Sequence, residues 1–168
     1  MKFRGMTVGE IRRQAAKDAD EILTKYWDGS FPVNPVPIAR DLGASVFLAQ
    51  LGDDEYGRLE SDSAGPNIYI DRDQPAKRKV FTCAHEIGHL VSHADEPEAV
   101  FVDKRSDEGR GTASEIYANE FAGNLLMPPD EVRELHTFGE DAASMADHFG
   151  VSLQAMSYRL RVLGLLSQ

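Results

Sequence analysis

Apolar residues recur at helical spacing through the first part of the chain. Thr7 to Glu10 has the spacing of a capping box, in which a threonine and a glutamate three residues later satisfy each other's backbone amides. The pattern therefore predicts an amphipathic helix over residues 8–27. Its apolar face consists of Ile11, Ala15, Ala19, Ile22, Leu23 and Tyr26.

A small sheet is predicted after this helix. The stretch from Gly29 to Pro37 holds three prolines, which end the helix before a short one at 38–42. Strand-forming residues then occupy 45–51, 56–61 and 67–71, separated by a Gly-Asp turn and by Gly65-Pro66. We expect these three segments to pair.

The remainder of the pattern is mainly helical. A helix is predicted to begin at Pro75 and to run to about Ser92, and an acidic, poorly periodic stretch at 94–112 is typical of a mobile surface loop. Further helices are predicted at 113–126, 129–136, 141–149 and 152–163. A chain of 168 residues suits one domain, so we expect a single unit over 1–168 with a helical hairpin at 141–164.

Charge and cysteine content narrow the class of protein. The chain has 28 acidic and 18 basic side chains and a formal net charge of −10, which disfavours a general nucleic-acid or anionic-membrane surface. One cysteine, Cys83, excludes an internal disulfide, and neither a secretion signal nor a membrane span is recognisable. We expect a cytoplasmic protein with a protein partner and no membrane contact, while the oligomeric state stays open.

The sequence His85-Glu86-Ile87-Gly88-His89 is an HExxH motif within the predicted helix over 75–92. At about 100° per residue, His85 and His89 lie one turn apart on the same face, where both imidazoles can bind one metal ion. Glu86 falls beside that face and is the candidate base that takes a proton from the attacking water. The motif predicts a metal-dependent peptidase, with zinc as the ion and manganese as the alternative.

A third metal ligand is expected from elsewhere in the chain, and His93, Glu115 and Glu120 are the candidates. On the predicted helix over 113–126, Glu115 lies about 50° from the centre of the apolar stripe and Glu120 about 170° away. Burying a carboxylate costs free energy unless it is paired, so the inward Glu115 is favoured as the ligand and Glu120 is expected to face water. His93 lies near the helix exit and is expected to be solvated.

Asn119 follows Glu115 by one helical turn and is the candidate for a hydrogen bond to a ligating histidine, which would fix its ring orientation. Cys83 is expected to be a small buried core residue because it lies on a different helix face from His85. Tyr69, Tyr117 and His136 remain open candidates for stabilising an oxyanion.

Two blocks together carry a family resemblance: FTCAHEIGHL at 81–90 and EIYANEFAGNLLMP at 115–128. The chain resembles the ImmA/IrrE family of metallopeptidases, and segments 37–46, 67–71 and 145–160 follow that family's order. The resemblance implies an α+β, zincin-like fold with a small, mostly antiparallel sheet, an active-site helix and a helical C-terminal part.

The resemblance also implies roles for individual residues. His85, His89 and Glu115 would bind the metal, and Glu86 would act as general base and acid. The strand Asn67, Ile68, Tyr69 and Ile70 would be an edge strand that receives the substrate in extended form. The substrate would be a helix-turn-helix repressor whose cleavage relieves repression of stress or mobile-element genes.

A DNA-binding or repressor-binding regulator without proteolysis is the alternative. Residues 142–164 fit a helix-turn-helix, with a turn at Gly150 and a second helix opening at Val151-Ser152. Against DNA binding, residues 141–168 contain only two cations, Arg159 and Arg161, whereas a helix that docks in the major groove normally brings a basic footprint. Two other interpretations of this segment stay open. It could be a hairpin that merely packs on the core, or a surface that holds the repressor.

Overall fold

The computed structural model describes residues 2–52, 54–96, 100–104 and 111–166, and it places seven helices and four strands in them. The fold is α+β, as predicted. The helices are α1 (Val8–Tyr26), α2 (Pro35–Asp41), α3 (Ala76–Ser92), α4 (Ala113–Leu126), α5 (Pro129–Thr137), α6 (Ala142–Phe149) and α7 (Leu153–Val162). The strands are β1 (Ser45–Ala49), β2 (Glu55–Asp62), β3 (Gly65–Asp71) and β4 (Val100–Lys104).

The predicted capping box starts α1. Thr7 Oγ1 accepts from the Glu10 amide at 3.2 Å, and Glu10 Oε2 accepts from the Thr7 amide at 2.7 Å. Helix α2 begins three residues earlier than predicted because Asn34 caps it and Pro35 suits its first turn, where no amide donor is needed.

The four strands form a mostly antiparallel sheet in the order β1-β3-β2-β4. β2 forms an antiparallel hairpin with β3 and pairs antiparallel with β4, whereas β1 joins the far side of β3 in parallel. The prediction that Asn67, Ile68, Tyr69 and Ile70 form an edge strand is therefore wrong. Both backbone edges of β3 are already paired, as Ile68 opposes Val46 on one side and Leu59 on the other.

Strand β4 lies within the 94–112 stretch that the sequence pattern predicted as a loop. It pairs with β2 through Phe101 opposite Leu59 and Val102 opposite Arg58. The segments 97–99 and 105–110 of the predicted loop lie outside the described residues. A five-residue strand between acidic and glycine-containing segments gives too short an apolar run to be recognised by periodicity.

Helix α3 packs on the sheet with one side and on α4 with the other. The contact with α4 is close because Gly88 faces Ala118: a Cβ atom at position 88 would lie 2.9 Å from the Ala118 Cα atom. α1 packs on another side of α4 and contributes Ile11, Ala15, Ala19 and Leu23 to the core. α3 and α4 are therefore held in a fixed relation by small residues between them.

The last two helices form a hairpin. Asp141 caps α6 and Ser152 caps α7, and Gly150 ends α6 with φ of 66°, the left-handed conformation that glycine adopts without steric cost. The buried Arg159 of α7 donates to the Met127 carbonyl at 3.1 Å and to Asn124 Oδ1 at 2.9 Å, which ties the hairpin to the end of α4. Within the described residues, no helix combines the length and the apolar character that crossing a bilayer requires.

Candidate metal centre

The two histidines of the HExxH motif project from the buried part of α3. His85 and His89 are 2% and 1% exposed, and their Nε2 atoms lie 3.1 Å apart. Their rings are almost perpendicular, with an interplanar angle of 82°. Helical spacing alone puts both rings on one face, and the surrounding core fixes their orientation.

Glu115 reaches the same point from the first turn of α4. Thr112 caps this helix, and the Glu115 carboxylate places Oε1 3.0 Å from His89 Nε2 and Oε2 3.3 Å from His85 Nε2. The Glu115 side chain is 20% exposed, which is less buried than the histidines. Two ligand candidates from α3 and one from α4, Glu115, which follows His89 by 26 residues in the sequence, thus meet at one cluster of three donors.

The protonation preferences of these groups suit metal ligands. Burial is the largest influence on His89 and lowers its pKa to about 4, against the opposing hydrogen bond with Glu115. Burial alone would raise the pKa of Glu115, but the hydrogen bonds from His85 and His89 outweigh it and hold the pKa well below its ordinary value. A neutral imidazole and an ionised carboxylate are the forms that bind a cation.

The spacing of the three donors fits one tetrahedral ion. Bonds of roughly 2.05 Å from a zinc ion separate its ligand atoms by about 3.3 Å. The three separations here are 3.1, 3.0 and 3.3 Å. Two histidines and a glutamate are also a common donor set in catalytic zinc sites, where a fourth position is left open.

The two histidine rings are held in different ways. Asn119, one turn after Glu115, faces His85 with Oδ1 2.9 Å from Nδ1, so a proton on Nδ1 leaves Nε2 free to bind a cation. Phe101 of β4 stacks on the His89 ring with centroids 4.5 Å apart and planes within 9°. His89 Nδ1 has no hydrogen-bond partner among the described residues, so stacking orients this ring.

Glu86 is fully buried on α3, below β2. Gly57 of β2 lies directly over it, and a Cβ atom at this position would lie 3.0 Å from Glu86 Oε1 and 2.5 Å from Thr82 Cγ2. Thr82 in turn donates to Gln74 Oε1 at 3.2 Å, and Gln74 donates to the Tyr56 carbonyl at 2.9 Å. The backbone of β2 and the buried part of α3 are thus in direct contact at the glutamate.

The family model described as the IrrE N-terminal-like domain, of the peptidase M78 family, matches residues 39–161. The chain belongs to this family. The match covers both α3 and α4 and hence all three residues of the cluster. Membership of a peptidase family supports the interpretation of this cluster as the metal site of a metallopeptidase.

A solved structure with a similar fold is a transcriptional regulator from Mycobacterium tuberculosis, with a TM-score of 0.66 and 21% sequence identity. The likeness covers 90% of this chain but 50% of the regulator, so the chain spans about half the length of that protein. At this identity the likeness shows the fold. A comparison with curated proteins found no match.

Two expectations for other residues of this M78-family domain, those for Glu120 and His93, differ from the structure. Glu120 does not face water: its side chain is 14% exposed and lies 3.8 Å from the buried Arg159, whose charge draws the carboxylate inward. His93 is not solvated, because its side chain is 9% exposed and lies 3.2 Å from Ser114. Tyr117, one of the three open candidates for stabilising an oxyanion, is fully buried, and its hydroxyl donates to Asp18 at the interface between α1 and α4.

Cys83 is buried as predicted, and burial raises its pKa to about 12, so it is an unreactive core thiol. Sequence analysis missed two residues that contact the site, Phe101 and Gly57. Phe101 lies in the unrecognised strand, and its signal in the sequence is the short apolar run Ala99-Val100-Phe101-Val102 after an acidic stretch. In the sequence, Gly57 looks like a glycine that merely weakens a strand. A close approach of another part of the chain is one known reason for a glycine at such a position.

Proposed function

We propose that this protein is a metal-dependent endopeptidase that hydrolyses a peptide bond in a helix-turn-helix repressor. The observation that carries the proposal is the convergence of His85, His89 and Glu115 at separations of 3.0 to 3.3 Å, next to a glutamate in the HExxH position. Membership of the M78 family supports the reaction class. The resemblance to the ImmA/IrrE peptidases supports the substrate class.

In this proposal His85, His89 and Glu115 hold the ion and Asn119 orients His85. A divalent cation held by these three residues would polarise the scissile carbonyl and would lower the pKa of a water molecule to about 7. Glu86 takes the proton from the attacking water and returns it to the leaving amine. Its place on α3, adjacent in sequence to His85, gives the base the same rigid support as the ligands.

Zinc is the proposed ion. Two imidazoles and a carboxylate bind zinc more tightly than manganese, and the donor separations suit tetrahedral coordination. Manganese is the alternative, because metal supply in the cell can override intrinsic affinity.

The proposed binding strand for an extended substrate is β4. Strand β3, the earlier candidate, has no free backbone edge because it pairs with β1 and β2. β4 is the last strand of the sheet on one side in the described residues, and its Phe101 stacks on His89. An extended peptide added beside β4 would form main-chain hydrogen bonds close to the cluster. The net charge of −10 favours a basic partner surface, such as the DNA-binding face of a repressor.

We also propose that residues 1–168 act as one domain in the cytoplasm, where a repressor is found. The hairpin at 141–164 then serves as a support for the catalytic core, because Arg159 joins α7 to α4.

The deciding experiment is intact-mass analysis of helix-turn-helix repressors from the same organism, after incubation of each with the zinc-loaded enzyme. Glu86→Gln runs in parallel as a matched control, because it keeps the size of the side chain and removes the base. We expect one cut by the wild type and a loss of about 10²- to 10⁴-fold in rate in the variant, with its metal content unchanged. Equal cutting by both would point to a contaminating protease, and no cutting in spite of demonstrated binding would refute the proposal.

The second candidate function is a regulator that binds DNA or a repressor without cutting it. The hairpin α6-Gly150-α7 has the connectivity of a helix-turn-helix, which favours this reading. Arg159, one of the two cations in the segment, is 4% exposed and engaged with Asn124 and Met127, which leaves Arg161 as the exposed cation of α7. A repressor-binding role is therefore the stronger form of this alternative.

A further inference from the structure

Phe101 carries the contact between strand β4 and helix α3. It lies opposite Leu59 in the register of β2 and β4, and directly opposite residues share one face of a sheet. Leu59 is 2% exposed, so the Phe101 side chain also points to the α3 side. Val100 and Val102 alternate to the other face. Among the side chains that the structure describes in β4, Phe101 is therefore the one placed to hold the strand against the helix.

The Phe101 ring packs on two imidazoles that lie one helical turn apart at the end of α3. The His89 ring centroid is 4.5 Å away with planes within 9°, and the His93 ring centroid is 4.3 Å away with planes at 38°. The cluster of metal-binding donors consists of His85, His89 and Glu115 and does not include His93. Metal binding therefore explains the position of the His89 ring but leaves the contact of His93 with Phe101 unexplained.

The His93 ring is itself fixed by other parts of the chain. Its side chain is 9% exposed, with Nε2 3.2 Å from Ser114 Oγ and Nδ1 3.3 Å from Glu96 Oε2. The Phe3 ring packs edge-on against it, with centroids 6.3 Å apart. Ser114 directly precedes the proposed ligand Glu115, so the ring also adjoins the turn of α4 that supplies the third donor. These contacts restrict rotation of the imidazole, which makes it a rigid support.

Strand β4 needs such a support if it is to bind a substrate along its edge. It is five residues long and, among the described residues, pairs with β2 on one side, while the substrate would take the other side. Short segments with few buried contacts open locally at a small cost in free energy. The apparent affinity for an added strand falls with the fraction of molecules in which the edge is in place. A side chain that holds β4 in place would therefore strengthen substrate binding.

We propose that His93 is a positioning residue that supports the Phe101 ring and thereby keeps β4 where its edge can bind the substrate. The inference rests on the proposed peptidase function, with β4 as the binding strand, and adds what holds that strand. In this role His93 acts through Phe101 and touches neither the ion nor the substrate. The ring contact at 4.3 Å, the low exposure and the neighbours of both ring nitrogens support it.

Two substitutions separate the ring of His93 from its polar contacts. His93→Ala removes the ring that packs on Phe101. His93→Phe keeps an aromatic ring there but cannot form the polar contacts with Ser114 and Glu96. Because the proposal assigns the support to the ring, the phenylalanine variant should rescue what the alanine variant loses.

His148→Ala is the matched control on α6. His148 also pairs with a carboxylate, as its Nε2 lies 3.1 Å from Glu131 Oε1. It also packs on phenylalanine rings, with centroids 4.7 Å from Phe31 and 4.9 Å from Phe149. The control thus removes a histidine with similar contacts from a part of the protein that does not include β4.

The kinetic test uses zinc-loaded proteins and a proteome-derived peptide library, from which mass spectrometry identifies the peptide that the wild type cuts best. With that peptide, His93→Ala should raise KM by about 3- to 10-fold, the equivalent of one aromatic contact, and change kcat by less than about 2-fold. His93→Phe and His148→Ala should keep KM within about 2-fold of the wild type. Adding His93→Ala to Phe101→Leu should raise KM no further, because His93 acts through Phe101.

Hydrogen exchange of β4 gives a readout that does not depend on peptidase activity. In zinc-loaded His93→Ala, the amides of residues 100–104 should exchange about 3- to 10-fold faster than in the wild type, while those of β3 should be unchanged. His93→Phe should restore the slow exchange, and all the variants should keep about one zinc per chain.

The two readouts distinguish failure of this inference from failure of the proposed function. Faster exchange of β4 in His93→Ala without any cleavage by the wild type would support the hold on β4 and count against the peptidase. Cleavage with an unchanged KM in His93→Ala would overturn the positioning role and leave the peptidase standing. A His93→Phe variant as defective as His93→Ala would also overturn it, because the ring would then not be what holds Phe101.

Discussion

Glu115 and Glu120 lie five residues apart on α4 and are both largely buried, yet their surroundings differ completely. Glu115 faces the imidazole rings of His85 and His89, whereas Glu120 lies between Arg12 and Arg159. Each carboxylate is stabilised by what it faces, since burial without a partner is costly. The immediate surroundings therefore distinguish Glu115, a candidate metal ligand, from Glu120, an ion-pair residue.

Glu115→Gln should lower zinc occupancy strongly, because it removes the anionic ligand, while Glu120→Gln should retain about one zinc per chain. Glu120→Gln should instead reduce the free energy of unfolding by about 1 to 2 kcal/mol, because the buried Arg159 loses a compensating charge but keeps two hydrogen bonds. Elemental analysis and urea denaturation measure the two effects. The reverse order of metal loss would make Glu120 the ligand.

Gly57→Ala should impair both folding and catalysis. Its methyl group would lie 2.5 Å from Thr82 Cγ2 and 3.0 Å from Glu86 Oε1, so β2 or α3 has to move. We expect a loss of about 1 to 3 kcal/mol in the free energy of unfolding and a fall in kcat. Gly123→Ala, which adds the same methyl group in free space, should be neutral or slightly stabilising, and equal effects of the two changes would remove the steric explanation.

At the scale of elements, the cluster depends on how closely α3 and α4 pack. α3 supplies two ligands and α4 supplies the third together with Asn119. Gly88 lets the helices approach at Ala118, one residue from His89. Gly88, the glycine inside the HExxH motif, thus permits the close helix packing that brings the ligands together.

Gly88→Ala should separate the two helices, because the new Cβ would meet the Ala118 Cα at 2.9 Å and the Ala118 carbonyl oxygen at 3.3 Å. Backbone atoms cannot rotate away as a side chain can. Zinc affinity should fall by at least about 10-fold, with a loss of about 1 to 3 kcal/mol in stability. Isothermal titration with zinc measures the affinity, and a wild-type value in a folded variant would show that the close contact does not set the ligand geometry.

At the scale of the whole molecule, charge distinguishes the two candidate functions. The net charge is −10, and the exposed surface of α7 offers little positive charge because Arg159 is buried against the end of α4. Counterion release from phosphates, which supplies most non-specific affinity for DNA, needs lysine and arginine side chains on the surface.

The protein should therefore bind a 30-base-pair duplex with a Kd weaker than about 100 µM at 150 mM salt. Proteins that bind DNA non-specifically have a Kd of about 10⁻⁴ to 10⁻⁶ M under such conditions. Fluorescence anisotropy with labelled DNA checks this, with Arg161→Ala as the control for the remaining exposed cation. Sub-micromolar binding that Arg161→Ala abolishes would establish the DNA-binding alternative.

Local patterns predicted the helices and three of the four strands with small errors at the ends. The capping box at Thr7, the HExxH spacing and the apolar stripe beside Glu115 all depend on residues within a few turns of one another, so the sequence alone was sufficient. The inward position of Glu115 followed from helical geometry. These features are decided by propensity and periodicity, which act over short distances.

The tertiary structure decided everything that depends on which distant segments meet. β1 pairs with β3 rather than with its neighbour β2, so the predicted edge strand is interior, and β4 takes the place beside β2. The inward turn of Glu120 required Arg159 from α7, and the roles of Gly57 and Phe101 required β2 and β4 to lie against α3. Pairing and packing of this kind are set by competition among many non-local contacts of similar free energy, and no local pattern encodes their outcome.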